Sequence, residues 1–327
     1  SFPTRRSSDL IQYFKVTQYF FFKQWSELKN YANQKGIKII GDMPIYVAAD
    51  SVEVWTKPEL FQLDKERNPL FVAGVPADQF SATGQLWGNP LYDWEEHKKQ
   101  GYAWWIHRIE ESFKIYDVLR IDHFKGFSDY WQVDGKADIA KYGSWQPGPG
   151  YDLFKAVKEQ LGDLPIIAED LGNIDDKARK LLTDCNYPGM KILQFGFEDV
   201  SGESLDSPHY CIPHSIVYTG THDNDVTNGW YNSLTEQQQQ YINDYTHRHE
   251  DESICQAMIR QLFATVSNTA IATMQDVLDL PASSRMNVPS TIGGNWQWRM
   301  QQSDLTQDKK DFLEKMTTLY QRANQGK

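Results

Sequence analysis

Three short apolar runs in this chain each end in a carboxylate: RIDHF at Asp122, IIAEDLG at Glu169 and VYTGTHDND at Asp223. Two carboxylates flanking a glycosidic bond can cleave it. One protonates the leaving oxygen, and in retaining enzymes the other attacks the anomeric carbon, the two standing ~5–5.5 Å apart. A third can bind sugar hydroxyls and favour a ring distorted toward the oxocarbenium shape. Arg120 precedes Asp122 by two residues, so on a strand both side chains leave the same face. A guanidinium there lowers a carboxyl pKa by roughly 1–3 units and keeps the group ionised for attack. Glu169 follows Ile166, Ile167 and Ala168, and loss of hydration beside such a run raises a carboxyl pKa, as a general acid requires. Any one of these acids could equally cap a helix or pair with a surface lysine. Three at strand ends, with Arg120 and His222 alongside, favour a shared site.

The elements that carry these residues alternate. Strand-like runs fall near residues 37–42, 117–122, 165–169, 190–195, 216–221 and 270–275. Between them lie helical patterns over 102–116 and 151–161, a short helix after Asp175, and a long polar helix or helix pair over 235–268. Residues 11–35 also read as a helix, with Ile11, Phe14, Phe21, Trp25, Leu28 and Ala32 at helical spacings and Gly36 as a C-cap. Such alternation predicts a parallel sheet wrapped by helices. Acids at the C-terminal ends of its strands are how a (β/α)8 barrel builds an active site. The fold expected is therefore α/β, a (β/α)8 TIM barrel with helical and loop insertions, lacking about its first two strands. Residues 43–100 read as an irregular insertion, and 143–150 as a Gly/Pro-rich loop. The opening SFPTRRSSDL resembles the translation of a sequencing-library adapter. Residues 1–10 thus read as a non-native leader, and 11–327 as a partial catalytic domain with its insertion around 43–100.

Composition narrows the partners. With 33 basic and 44 acidic residues the net charge is −11, which repels nucleic acid. The apolar runs fall short of the ~18–20 residues that span a membrane. Cys185, Cys211 and Cys255 are odd in number and outside any CxxC spacing. They read as reduced thiols rather than a disulfide framework or zinc site, which suits the cytoplasm. The 11 Trp, 17 Tyr and 16 Phe are mostly core material, but that density also suits a substrate that presents the flat apolar faces of sugar rings.

RIDHF, AEDLG, GTHDND and IIGDMPIYVA, in the places they hold here, resemble the amylomaltases, or disproportionating enzymes, 4-α-glucanotransferases of the α-amylase clan of retaining glycosidases. VAGVPADQFSATGQLWGNPLYDW (72–94) resembles that family's loop over the active site. PGMKILQFGF (188–197), MQDVL (274–278) and MNVPSTIGGNWQWR (286–299) resemble its later barrel segments. The resemblance covers residues 11–327, and the long loop and the NVPS…GNWQWR stretch are its most specific parts. It implies Asp122 as nucleophile, Glu169 as acid/base and Asp223 as transition-state stabiliser. Arg120 would orient Asp122, His222 and His123 would bind sugar hydroxyls, and Asp42, Trp87 and Asn295 would line the glucan groove. It further implies α-1,4-glucans (maltodextrins, starch, glycogen) as donors, glucose or maltose as acceptor, and no metal or organic cofactor. The chain departs from the family at Gln79, where an aromatic is usual, and in the missing N-terminal third. An α-amylase-type hydrolase, or an inactive fragment that only binds glucan, stays open on these residues alone. Oligomeric state has no signal in the sequence.

Overall fold

A computed structural model describes residues 3–77, 81–172, 174–291 and 293–323, so Gln79 lies outside the described residues. The chain divides into two compact units, Ser1–Tyr187 and Pro188–Lys327. The first holds α1 (Pro3–Gln34), β1 (Ile40–Met43), α2 (Val52–Thr56), β2 (Phe71–Val75), β3 (Gln85–Pro90), α3 (Trp94–Lys99), α4 (Ala103–Ile115), β4 (Val118–Ile121), β5 (Asp129–Asp134), β6 (Gly143–Pro147), α5 (Tyr151–Leu161), β7 (Ile166–Ala168) and α6 (Asp176–Cys185).

Its parallel sheet runs β1-β4-β7. The register sets Asp42 beside Arg120 and Arg120 beside Ile167. Side chains alternate along a strand, so Asp42, Arg120 and Asp122 share one face, and so does Glu169, two residues beyond Ile167. The opposite face is apolar. Met43, Leu119, Ile121, Ile166 and Ala168 join Trp105 and Ile109 of α4, Leu153 and Phe154 of α5 and Leu181 of α6 in one buried core. Gly41 is where β1 meets the chain after α4: a Cβ there would lie 2.0 Å from the Tyr116 ring.

The helix expected over 11–35 is present as part of α1, but little of its apolar stripe is covered. Ile11, Phe14, Phe21 and Leu28 are half-exposed or more. Contacts gather toward its C-terminal end, where Trp25 Nε1 donates to Ile115 O at 2.9 Å and Lys29 Nζ donates to the carbonyls of Phe113 and Tyr116. An ammonium on the last carbonyls of α4 meets the negative end of that helix dipole.

The irregular reading of 43–100 and 143–150 needs correction. Those stretches supply three strands of a four-stranded antiparallel sheet, ordered β3-β2-β5-β6, with β5 from residues 129–134. The insertion is therefore half of a layer completed by residues 129–147. A register shift between Val72 and Gly74 interrupts the alternation that would betray β2 in the sequence.

The second unit holds β8 (Gly189–Ile192), α7 (Leu193–Glu198), β9 (Ser215–Tyr218), α8 (Thr227–Ser233), α9 (Glu236–Thr246), α10 (Ile254–Ala264), β10 (Thr269–Ile271), α11 (Met274–Val277) and α12 (Gln307–Leu319). Its parallel sheet runs β10-β9-β8. The three strands expected here are shorter than read: β8 passes directly into α7, β9 ends at Tyr218, and β10 ends before α11. The polar stretch 235–268 is two helices, each opened by a capping box, Thr235 with Gln238 and Ser253 with Gln256. His247, at φ 47°, ends the first of them. The core gathers Leu193, Phe197, Val217, Met258, Ile259 and Leu262. All three cysteines are free. Among the described residues, no helix is long and apolar enough to cross a membrane.

Candidate active site

In the first unit one guanidinium holds three carboxylates. Arg120 Nη1 donates to Asp42 Oδ1 at 2.6 Å and to Asp122 Oδ1 at 3.0 Å, and Nη2 lies 3.2 Å from Glu169 Oε2. The cross-strand register and the two-residue period account for this meeting. The side chain of Arg120 is 9% exposed and that of Glu169 18%, against 37% for Asp122. Backbone bonds lock the strand ends together: Asp122 N–H donates to Met43 O, and Glu169 N–H to Ile121 O. His123 turns the chain away at φ 51°, and its N–H donates to Glu169 Oε2 at 2.6 Å.

These surroundings drive the two central acids apart. Burial, the Asp122 charge and a hydrogen bond to Asp122 push Glu169 up to about 8, outweighing Arg120 and the His123 N–H. Burial opposes the charge on Asp122 as well, but the bond from Glu169 and the Arg120 guanidinium overcome it and hold Asp122 below its ordinary range. Near neutral pH the pair is one protonated and one ionised carboxyl, an acid beside a nucleophile. Burial lowers the His123 imidazole to about 4, against the pull of Asp122, so the ring is neutral there. Trp87 stands edge-on to it, ring centroids 4.8 Å apart, with Tyr46 6.2 Å from Trp87.

His222, Asp223 and Asn295 belong to the second unit. Asp223 Oδ1 accepts from Asn287 Nδ2 at 2.6 Å, and Arg285 Nη2 donates to the Asp223 carbonyl at 2.6 Å. His222 Nε2 lies 3.4 Å from Asp223 Oδ2, and its ring centroid 5.1 Å from that of Trp296. The loop 220–226 is pinned at both ends by buried Asp276, which accepts from Thr219 Oγ1 at 2.6 Å and from Thr227 N–H at 2.8 Å. Asn295 is bonded within its own loop. Its Oδ1 accepts from Val288 N–H and its Nδ2 donates to Thr291 Oγ1, which staples its own loop.

Sequence reasoning missed Arg285, Asn287, Trp296 and Asp276. The NVPS stretch held the signal for Asn287, whereas Arg285 acts on a backbone carbonyl and leaves no spacing pattern. On the exposed side of α4, His107 Nδ1 lies 3.9 Å from Glu110 and 3.8 Å from Glu111. These are helical neighbours at three and four residues, outside the Arg120 cluster, and they pair with each other.

The chain as a whole is similar to known proteins. The profile of a family described as 4-alpha-glucanotransferase matches residues 3–306. The 4-alpha-glucanotransferase of Streptococcus pneumoniae serotype 4 is 53% identical over 320 residues, covering 98% of this chain and 63% of that protein. That of Clostridium butyricum is 44% identical over 316 residues, covering 95% and 64%. A solved amylomaltase from Streptococcus agalactiae, in complex with acarbose, matches with a TM-score of 0.95 at 59% identity, over 97% of this chain and 64% of that one. The chain thus spans a little under two thirds of the length of these relatives, and it has their α/β fold, of the (β/α)8 barrel class.

Proposed function

The chain belongs to the 4-alpha-glucanotransferase family, and on that premise we propose that it serves the transfer of α-1,4-glucan segments between maltodextrins, with Asp122 and Glu169 at the bond that is exchanged. The observation that carries this reading is one buried guanidinium, Arg120, holding Asp122 at 3.0 Å and Glu169 at 3.2 Å, in surroundings that keep the first acid low and push the second up. Both acids lie on the one Arg120 guanidinium, at 3.0 and 3.2 Å, a close placement that suits the ~5–5.5 Å of a retaining pair better than the ~6.5–9.5 Å that inverting enzymes leave for a water.

In that course Glu169 gives its proton to the glycosidic oxygen while Asp122 attacks the anomeric carbon, forming a covalent glucosyl-enzyme and releasing the leaving sugar. Asp223, oriented by Asn287, binds ring hydroxyls more tightly in the transition state than before it. Glu169, now ionised, takes the proton of an acceptor 4-OH, and the new α-1,4 bond releases Asp122. His123, neutral and packed on Trp87, is a hydroxyl partner beside the reacting sugar, as is His222. Donors are maltodextrins and the chains of starch or glycogen, and acceptors glucose or maltose. Three free cysteines suit the reducing cytoplasm.

The test is maltotriose alone, with products resolved by length and Asp122→Asn run beside the unsubstituted chain. Glucose with a ladder longer than maltotriose, absent from the variant, is the expected result. Glucose and maltose with nothing longer makes the chain a hydrolase. Turnover that survives in Asp122→Asn removes Asp122 from the nucleophile role.

A further inference from the structure

The Gly/Pro-rich stretch 143–150 carries a feature that the cleavage chemistry does not use. Trp145 on the edge strand β6 lies opposite Trp131 of β5, with the two rings edge to face at 5.3 Å. Trp131 is itself fixed: its Nε1 donates to Ala140 O at 2.7 Å. Its ring lies over Gly143, where a Cβ would come within 2.7 Å of it. Lys125 Nζ sits 4.4 Å over the Trp145 ring. That ammonium is held by Asp129 and, at 3.3 Å, by Asp175, and the Lys125 side chain is 11% exposed. Trp145 therefore has a cation over its ring and a second indole packed against it, yet it is 44% exposed. Tyr142, just before β6, is 73% exposed.

We propose that Trp145 is a stacking platform for a neutral α-glucan, set apart from the Arg120 cluster and binding sugar residues other than the one at Asp122; this rests on the glucan reading above. Three properties select that ligand. The ring is immobilised before any ligand arrives, so little ordering is left to oppose binding. The ammonium over the ring is already matched by two carboxylates, so it offers little to an anion. A part-exposed indole suits a pyranose ring, whereas a stable protein interface buries about 1,600 Å² in all. Lys125, which holds the Trp145 ring, follows Asp122 by three residues in the chain.

Calorimetric titration with maltoheptaose and with maltotriose tests this, using the unsubstituted chain, Trp145→Ala and Trp145→Phe, each first checked for its melting temperature. Trp145→Ala weakens maltoheptaose binding roughly 3- to 10-fold, the range of one aromatic contact, and leaves maltotriose unchanged. Trp145→Phe keeps a ring and retains most of the affinity, and it carries the test if the alanine variant does not fold. Unchanged maltoheptaose affinity in the variants overturns the proposal. Equal weakening of both sugars also overturns it, because it puts Trp145 at the cleavage subsites. Loss of a dimer with glucan affinity intact assigns the face to a second copy of the chain instead. Glucan binding without transfer counts against the proposed function alone, and no binding by the unsubstituted chain counts against both.

Discussion

Glu169 in the first unit and Asp223 in the second both follow apolar strands, yet their surroundings differ. The Glu169 side chain is 18% exposed and meets a guanidinium, a second carboxyl and a backbone N–H. That of Asp223 is 42% exposed, and its firmest partner is the neutral amide of Asn287. The contrast follows the work assigned to each. A group that must hold a proton near neutral pH and then give it up needs burial and charged neighbours to move its pKa. A group that only presents a carboxylate to hydroxyls needs orientation, which an amide supplies without desolvating the charge.

Four experiments can break or sharpen this contrast. Asp122→Asn lowers transfer by about 10⁶-fold, as removal of a nucleophile does, while the melting temperature stays close to that of the unsubstituted chain. Glu169 gives the next effect. Folded, it keeps its proton up to about pH 8; unfolded, it loses it near its ordinary value of about 4.3. Its contribution to stability is therefore full below the unfolded value and is lost as pH rises through the folded one. Urea unfolding from pH 5 to 8 shows the chain losing stability relative to Glu169→Gln by up to about 1.4 kcal/mol per unit. Transfer falls on a later, alkaline limb, as pH passes through about 8 and the folded acid loses its proton, and a flat profile through pH 9 would remove Glu169 from that role. Arg120→Met leaves three carboxylates facing one another. Breaking a buried pair costs about 3–5 kcal/mol, and the exposure of Asp42 and Asp122 reduces this to about 2 kcal/mol, read from urea unfolding. Arg285→Met, in the more open loop, costs less. The smallest effect is that of Asn287→Ala, which lowers kcat roughly ten-fold by freeing Asp223, as expected for one hydrogen bond to a charged group, and leaves the alkaline limb where it was.

The parallel strands and their terminal acids were legible because each is a local pattern, a short apolar run followed by a carboxylate. The Arg120–Asp122 pairing was legible too, since two residues along a strand return to the same face. Asp42 was legible as a carboxylate at a strand end but was given a site role only through family resemblance, because its place beside Arg120 depends on the register of two strands 78 residues apart. The antiparallel sheet was hidden for a similar reason. β2 and β5 pair across more than fifty residues of chain, and a register shift beside Gly74 breaks the alternation within β2. The helix α12 could have been read, since Thr306 precedes it and Phe312, Leu313 and Met316 follow at helical spacing. Asn295 entered through the matched segment that holds it, and the bonds its amide makes within its own loop carry no pattern in the sequence.

The bond from the His123 N–H to Glu169 has a consequence for how this site can be explored by substitution. The donor is main chain, so an alanine scan passes over it without effect, and so does any library that varies side chains alone. Among the coded residues only proline deletes it. Glycine would keep the bond and relax the left-handed turn that aims it, and a β-branched residue would keep the bond and strain the turn. One of the contacts that sets the acid's proton affinity is thus written in the path of the backbone, and an engineer who wishes to retune it must change the path of the chain rather than a side chain.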